Sequence, residues 1–262
     1  GSVAPFSPQP TWWRRLGRGF YSNLIQERRY LLVLDGLQTT LLISVLSAFG
    51  GTVLGAIVCL MRMSKQMWLQ WPARLYIAFL RGTPVVVVLM LVFYVVFASW
   101  DVSPILAATI AFGMNFAAYA SEIFRTGILG VDRGQTEAGL SLGFSRSATF
   151  FHVVLPQTIL RILPVYKGEF ISLVKMTSIV GYIAVQDLAK ASDIIRSRTF
   201  DAFFPLLLIA VLYFVIAWVL MLALEAVERR LAPGARRRDR QRPLRPHVRA
   251  RDRVCPGPGH RP

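Results

Sequence analysis

The chain has 262 residues, of which 54% are hydrophobic, with a mean hydropathy of +0.49 and a formal net charge of +16. So apolar a composition excludes a soluble domain of this length. Two cysteines and three histidines, most of them near the C-terminal end, offer neither a disulfide framework nor a clustered metal site.

In chain order, residues 1–30 form a basic, aromatic segment in which Trp12, Trp13, Phe20 and Tyr21 stand among Arg14, Arg15, Arg18, Arg28 and Arg29. This mixture suits either an interfacial helix against lipid headgroups or a partly ordered tail. The opening Gly1-Ser2, in place of Met, reads as an expression scar on an excerpt of a longer polypeptide. Residues 31–225 are expected to form the membrane domain. Within them, five stretches approach the roughly 20 apolar residues that a membrane-crossing helix needs; they fall at 37–61, 76–100, 102–123, 165–185 and 203–224. Ser103 followed by Pro104 predicts an N-cap and first-turn pair opening the third helix. No ten-residue alternating segments appear, so a membrane β-barrel is excluded. The expected class is an all-α, polytopic membrane protein with five transmembrane helices.

Residues 226–262 are rich in Arg and Pro: 235–262 alone holds ten Arg, five Pro and no Phe, Tyr or Trp. Such a segment cannot build a core and is expected to be disordered. With the N-terminus outside, the inward-facing segments hold 20 Lys and Arg against 8 on the outward side. Without the twelve Arg beyond Leu224 the count is 8 to 8, so the tail and the central loop decide the orientation. The expectation is N-terminus out and C-terminus in.

Between the third and fourth hydrophobic segments lies a polar loop, 125–164, that suggests a docking surface. Arg133, Gly134 and Gln135 precede Glu137-Ala138-Gly139; Gly143 follows, and Val153-Val154-Leu155-Pro156 closes the stretch. The small residues Ala138, Gly139, Ser141 and Gly143 are expected on a short helix with a nearly bare face, able to press closely into a groove of another protein. Glu137 suits the positive end of that helix. Leu155-Pro156 is expected to set how the chain leaves the helix and re-enters the membrane.

This spacing resembles the EAA loop of bacterial ABC importer permeases, with Gly139 for the usual second Ala and Val153 for the usual Ile. Further stretches are similar to the polar amino-acid uptake (histidine/glutamine/glutamate-type) subfamily. They are Arg81-Gly82-Thr83-Pro84, the run from Asn115 to Arg125, Gly134-Gln135-Thr136-Glu137-Ala138, Leu155-Pro156-Gln157, and Glu169 to Ser178. Gly168 stands where many relatives carry Asn. The resemblance covers roughly residues 35 to 224. It implies a type I ABC importer permease fold, a coupling loop meeting a cytoplasmic ATPase, a second permease copy or sister permease, an external amino-acid-binding protein, and the bacterial inner membrane. ATP and Mg would be bound by the ATPase partner, since this chain has no Gly-x-x-x-x-Gly-Lys-Ser/Thr loop.

Residue by residue, Lys175 is expected mid-way along the fourth helix, where a charge costs about 2.5–3.5 kcal/mol on insertion scales. Helical spacing puts Gly168, Ser172, Lys175, Ser178 and Tyr182 on one stripe, facing either a water-filled substrate path or a buried contact with Glu169, Glu122 or Asp187. Asn115 reads as an interhelical hydrogen bond or a substrate contact. Arg81, Thr83 and Pro84 read as an anchor that snorkels to the interface plus a proline kink, or as a gate. Glu122 and Arg125 can pair at i, i+3. An ion channel would show a filter loop or rings of like charge, and a membrane-embedded enzyme would show paired catalytic groups; neither pattern is present. The expected function is translocation of a polar amino acid by a permease subunit that is not itself an enzyme.

Overall fold

The computed structural model describes residues 25–231. The interfacial-helix reading of the N-terminal segment and the disordered-tail reading of the Arg-rich end lie outside the described residues. All regular secondary structure of the described residues is helical, with no strand among them. They are α1 (Tyr30–Met63), α2 (Met67–Gly82), α3 (Val85–Leu91), α4 (Pro104–Leu129), α5 (Arg133–Ser141), α6 (Arg146–Thr149), α7 (Leu155–Met176), α8 (Leu188–Thr199) and α9 (Phe203–Leu231). Wider π turns extend α3 over Val92–Val96 and join α6 to α7 over Phe150–Val154; a tighter 3-10 turn, Thr177–Ile183, follows α7.

Four helical runs are long and apolar enough to cross a membrane: Tyr30–Met63, Pro104–Leu129, Arg146–Ile183 and Phe203–Arg230. The fifth expected span, 76–100, is instead a bent pair, Met67–Gly82 and Val85–Val96, with 112° between the two arms. Counted as one broken span, it restores the expected five. The break falls at Thr83-Pro84, where proline has no N–H for the Leu80 carbonyl four residues back. Asn115 on α4 fills that vacancy: its Nδ2 donates to the Leu80 carbonyl at 3.2 Å, and the side chain is only 4% exposed.

The centre of the bundle is the α1–α4 pair. Small residues let the backbones meet: an added Cβ on Gly51 would lie 2.7 Å from the Gly113 carbonyl, and one on Gly55 would lie 3.0 Å from the Ala117 carbonyl. Ser47 Oγ adds a cross-helix bond to the Thr109 carbonyl at 3.0 Å. Around this seam Phe112, Phe116, Ile43, Leu80 and Leu89 form the buried core. The outward faces carry large apolar side chains such as Phe49, Val53, Leu60, Phe214 and Trp218, as expected of surfaces that meet lipid. As predicted, Ser103 caps α4, its Oγ accepting from Leu106 N at 3.3 Å, with Pro104 in the first turn.

Asp187 fastens the end opposite the loop helix. It is fully buried, and its carboxylate caps α8 by accepting from the Ala189 and Lys190 N–H groups at 3.1 and 2.9 Å. It also accepts from the Tyr213 hydroxyl at 3.3 Å, and its own backbone sits where a side chain on Gly36 would have to go. Burial pushes its carboxyl above the ordinary range, and the two N–H bonds pull it part of the way back.

Replacing Asn115 by Ala should destabilise the bundle by about 1–3 kcal/mol, the cost of orphaning a buried carbonyl. Thermal melting in detergent checks this. Restoring the helical donor with Pro84→Ala should make the Asn115 substitution markedly cheaper; equal losses in both backgrounds would show that the two residues are uncoupled.

Candidate functional site

The loop between α4 and α7 is far more helical than its polarity suggests. Asp132 caps α5, its Oδ1 accepting from Gly134 N at 2.7 Å. Gly143 ends it with φ of +84°, a conformation that glycine adopts at little cost. Ser145 then caps α6 through Ala148 N at 3.2 Å, and the backbone continues without interruption into the fourth span. Pro156 lies in the first turn of α7 and brings no N–H, so the ladder upstream widens: Leu155 N–H reaches back to the Phe150 carbonyl in a π turn. Leu155-Pro156 therefore sits inside a continuous helical rod rather than at a loop exit.

One expectation about this loop changes. Gly139 is not part of a bare outer face: it is buried, and an added Cβ would lie 2.6 Å from Thr149 Cγ2. Gly143 is small because of its backbone conformation, since nothing lies within 4 Å of its missing side chain. Two of the four small residues thus serve the loop's own packing and backbone. Gln157 Nε2 donates to Gln135 Oε1 at 3.2 Å and ties α5 to α7 on that same inner side. Glu137, two residues from Gly139 and so on the opposite side of the helix, is exposed, as are Arg133, Gly134 and Ala138. The sequence reading missed Leu142 and Phe144. They flank Gly143, are 78% and 48% exposed, and are the large apolar side chains that the turn presents outward. Two such residues around a glycine in a polar loop were the available signal.

The polar stripe on the fourth span does turn away from the rest of the chain. Gly168, Lys175 and Tyr182 are exposed, Ser172 and Ser178 are half-buried, and nothing within 4 Å would meet a side chain on Gly168. Lys175 lies in the last turn of α7 rather than at a mid-helix position, because the α-helix gives way to a 3-10 turn after Met176. It has no acidic partner among the described residues. Two of the acids considered for it are taken elsewhere: Asp187 caps α8, and Glu122 pairs with Arg125 Nη2 at 2.7 Å and with Arg62 Nε of α1 at 3.1 Å. The i, i+3 pair was legible in the sequence; the Arg62 arm was not.

Asn115 serves the bend of the second span, so it does not join Ser172, Lys175 and Ser178 on their stripe. The exposed Arg81 has its guanidinium carbon 5.0 Å from the centre of the Tyr119 ring. Thr83 and Pro84 form the break itself. Among the described residues no three His, Cys, Asp or Glu gather as metal ligands would. What the arrangement offers is a short helix, α5, packed through Gly139 on Thr149 and tied through Gln135 to Gln157, beside a continuous helical run that carries the polar stripe.

Comparison with known proteins agrees with this layout. The family described as "Binding-protein-dependent transport system inner membrane component" matches residues 51–233. The chain is 36% identical to the L-cystine transport system permease protein TcyB of Bacillus subtilis, over 82% of this chain and 93% of that protein. It is 38% identical to the probable amino-acid ABC transporter permease protein YckA of the same organism, over 76% and 89% of the two chains. Among solved structures, a chain of an amino acid ABC transporter crystallised with histidines matches with a TM-score of 0.72 at 36% identity, over 78% of this chain and 96% of that one. A chain of the MetNI methionine ABC transporter in an inward-facing conformation, at 18% identity and a TM-score of 0.64, shares the fold.

Substituting Gly139 by Ala should lower the melting temperature, because the new methyl group collides with Thr149. Thr149→Ala, by removing the colliding methyl, should recover most of the loss. Failure of that rescue would mean that α5 and α6 are not in register as described.

Proposed function

Because the chain belongs to the family of binding-protein-dependent transport system inner membrane components, and is a permease subunit of an ABC importer for amino acids, we propose that α5 is the lever through which a partner ATPase moves the membrane helices. One observation carries this reading. The helix is fastened to its own chain along Gln135 and Gly139, yet leaves Glu137 opposite them exposed and, among the described residues, without an ion-pair partner. A helix held on one side and open on the other can transmit displacement without coming loose. Gly134, Glu137 and Ala138 would meet the ATPase, Arg133 opens the helix beside them, and Leu142 and Phe144 would supply apolar anchors at the turn. Gly139, Gly143, Leu155 and Pro156 keep the lever stiff. ATP and Mg are handled by the ATPase subunits.

The membrane placement follows from this role. The loop lies on the cytoplasmic side of the bacterial inner membrane, with the N-terminus outside and the C-terminus inside. The external binding protein delivers a polar amino acid near residues 186–204, where Phe200 is 95% exposed. A second permease, identical or a sister chain, faces the stripe of Ser172, Lys175 and Ser178, and the substrate passes between the two. Lys175 suits the carboxylate that every amino acid carries, which supports the general class of substrate. Alternation between outward- and inward-open packings is a change of the kind that packed helical interfaces undergo. Its movable joint is the break at Thr83-Pro84, with Arg81 held on Tyr119 beside it.

Two measurements test this. Glu137→Arg, together with Leu142→Arg, should lower binding-protein-stimulated ATP hydrolysis of the purified complex by about tenfold or more, equivalent to about 1.4 kcal/mol of lost coupling. Unchanged stimulation would remove α5 from the coupling path, and labelling of Ser141→Cys from outside intact cells would reverse the orientation. Separately, Lys175→Met should cut amino-acid uptake severalfold while leaving the melting temperature unchanged, because the ammonium has no acidic partner among the described residues to lose. A drop in melting temperature with intact uptake would make Lys175 structural.

A further inference from the structure

Beside α5 lies an open cleft of about 720 Å³, on the flank between the fastened face and the exposed one. Its apolar floor includes Leu129 at the end of α4, Leu140 of α5 and Phe150 of the π turn. Arg133, Thr136 and Arg146 also line it. Neither arginine has an acidic partner within ion-pair distance among the described residues. The acids nearest in sequence are otherwise placed: the Asp132 carboxylate accepts from Gly134 N, and Glu137 points outward. A third arginine without a carboxylate partner, Arg161, packs its guanidinium against Gly130, where α4 stops.

We propose that this cleft binds an anionic phospholipid, its head-group phosphate held by Arg133 and Arg146 and its acyl chain laid over Leu129, Leu140 and Phe150. The inference uses the reading above in one respect, that the loop lies at the inner face of the membrane. A planar guanidinium offers two parallel N–H donors that match a phosphate, and two of them lining one cleft favour an anion over a zwitterion. The apolar floor decides the source of that phosphate. Leu129, 63% exposed, is the last residue of a helix long and apolar enough to cross a membrane, so the apolar lining adjoins the end of that span. A free anion would leave that floor in water, whereas an acyl chain covers it. Basic pockets at the cytoplasmic ends of membrane helices are suited to such head groups. The volume is within the range of ordinary ligand sites. Because the cleft joins the lever to the end of α4, a lipid seated there would brace α5 from the membrane side.

The test uses the full chain, purified with its ATPase partner and exchanged into micelles holding equal amounts of phosphatidylglycerol and phosphatidylcholine. Lipid retained on the permease subunit is then counted by native mass spectrometry. The wild type should retain phosphatidylglycerol preferentially. Arg133→Gln with Arg146→Gln should lower that retention roughly fivefold or more, about the effect of losing two charge-assisted contacts. Thr136→Glu, on an exposed helical position that folding tolerates, should do the same by adding a carboxylate to the wall. Equal retention by wild type and both variants overturns the site. If inorganic phosphate, added without phosphatidylglycerol, raises the melting temperature as much as the lipid does and then displaces it, the ligand is a soluble phosphate and the lipid assignment falls. The count is made on the permease subunit whether or not the ATPase stays bound. Loss of the ATPase from the wild type would thus count against the coupling role alone, and loss of lipid preference against the cleft alone.

Discussion

Pro84 leaves the Leu80 carbonyl without a helical donor, and the Asn115 amide reaches across from α4 to supply one. In lipid an orphaned backbone carbonyl costs several kcal/mol, so a sharp break within a membrane span persists only where another helix repairs it. The repair fixes the geometry around it. It holds α2 against α4, sends α3 away at 112°, and leaves Arg81 over Tyr119, one residue beyond the mended carbonyl. Tyr76 strengthens the same contact one turn earlier, its hydroxyl donating to the Met114 carbonyl at 2.7 Å. The bent span is thereby a defined corner.

Around that corner the bundle is held by close approach more than by charge. Ser47, Gly51 and Gly55 bring α1 against Gly113, Ala117 and Ala120 of α4, and the resulting backbone contact is possible only because both surfaces lack bulk. Glu122, between Arg62 and Arg125, joins the same two helices at the end nearer the loop. A half-buried ion triad of this kind contributes modest net stability after desolvation. It does make the relative register of α1 and α4 costly to change, because any slip strands a charge. Asp187 has the equivalent role at the other end, where it links the α8 cap, Tyr213 of α9 and the backbone beside Gly36.

The loop helix shows how one residue can be read correctly for size and wrongly for purpose. The small residues at positions 138, 139 and 143 identify a helix under tight steric demand, and that demand exists. It comes from Thr149 and from a left-handed backbone turn as much as from any partner. The residues that project are Glu137, Leu142 and Phe144, and the continuous rod from Arg146 to Ile183 connects their base to the polar stripe around Lys175.

The number of hydrophobic segments, the Ser103-Pro104 helix start, the Glu122–Arg125 pair and the spacing from Glu137 to Pro156 were all legible in the chain, because each depends on neighbours within a few residues or on the length needed to cross lipid. The family could be recognised for the same reason. Only the folded bundle decided the rest. Asn115 could be seen as a hydrogen-bonding residue, but its acceptor lies 35 positions away and exists only because Pro84 abolishes a local bond. Arg62 could not be assigned to Glu122, nor Gly139 to Thr149, without knowing which helix faces are brought together. Helical periodicity specifies which side chains share a face; what lies opposite that face is set by packing between segments distant in the chain.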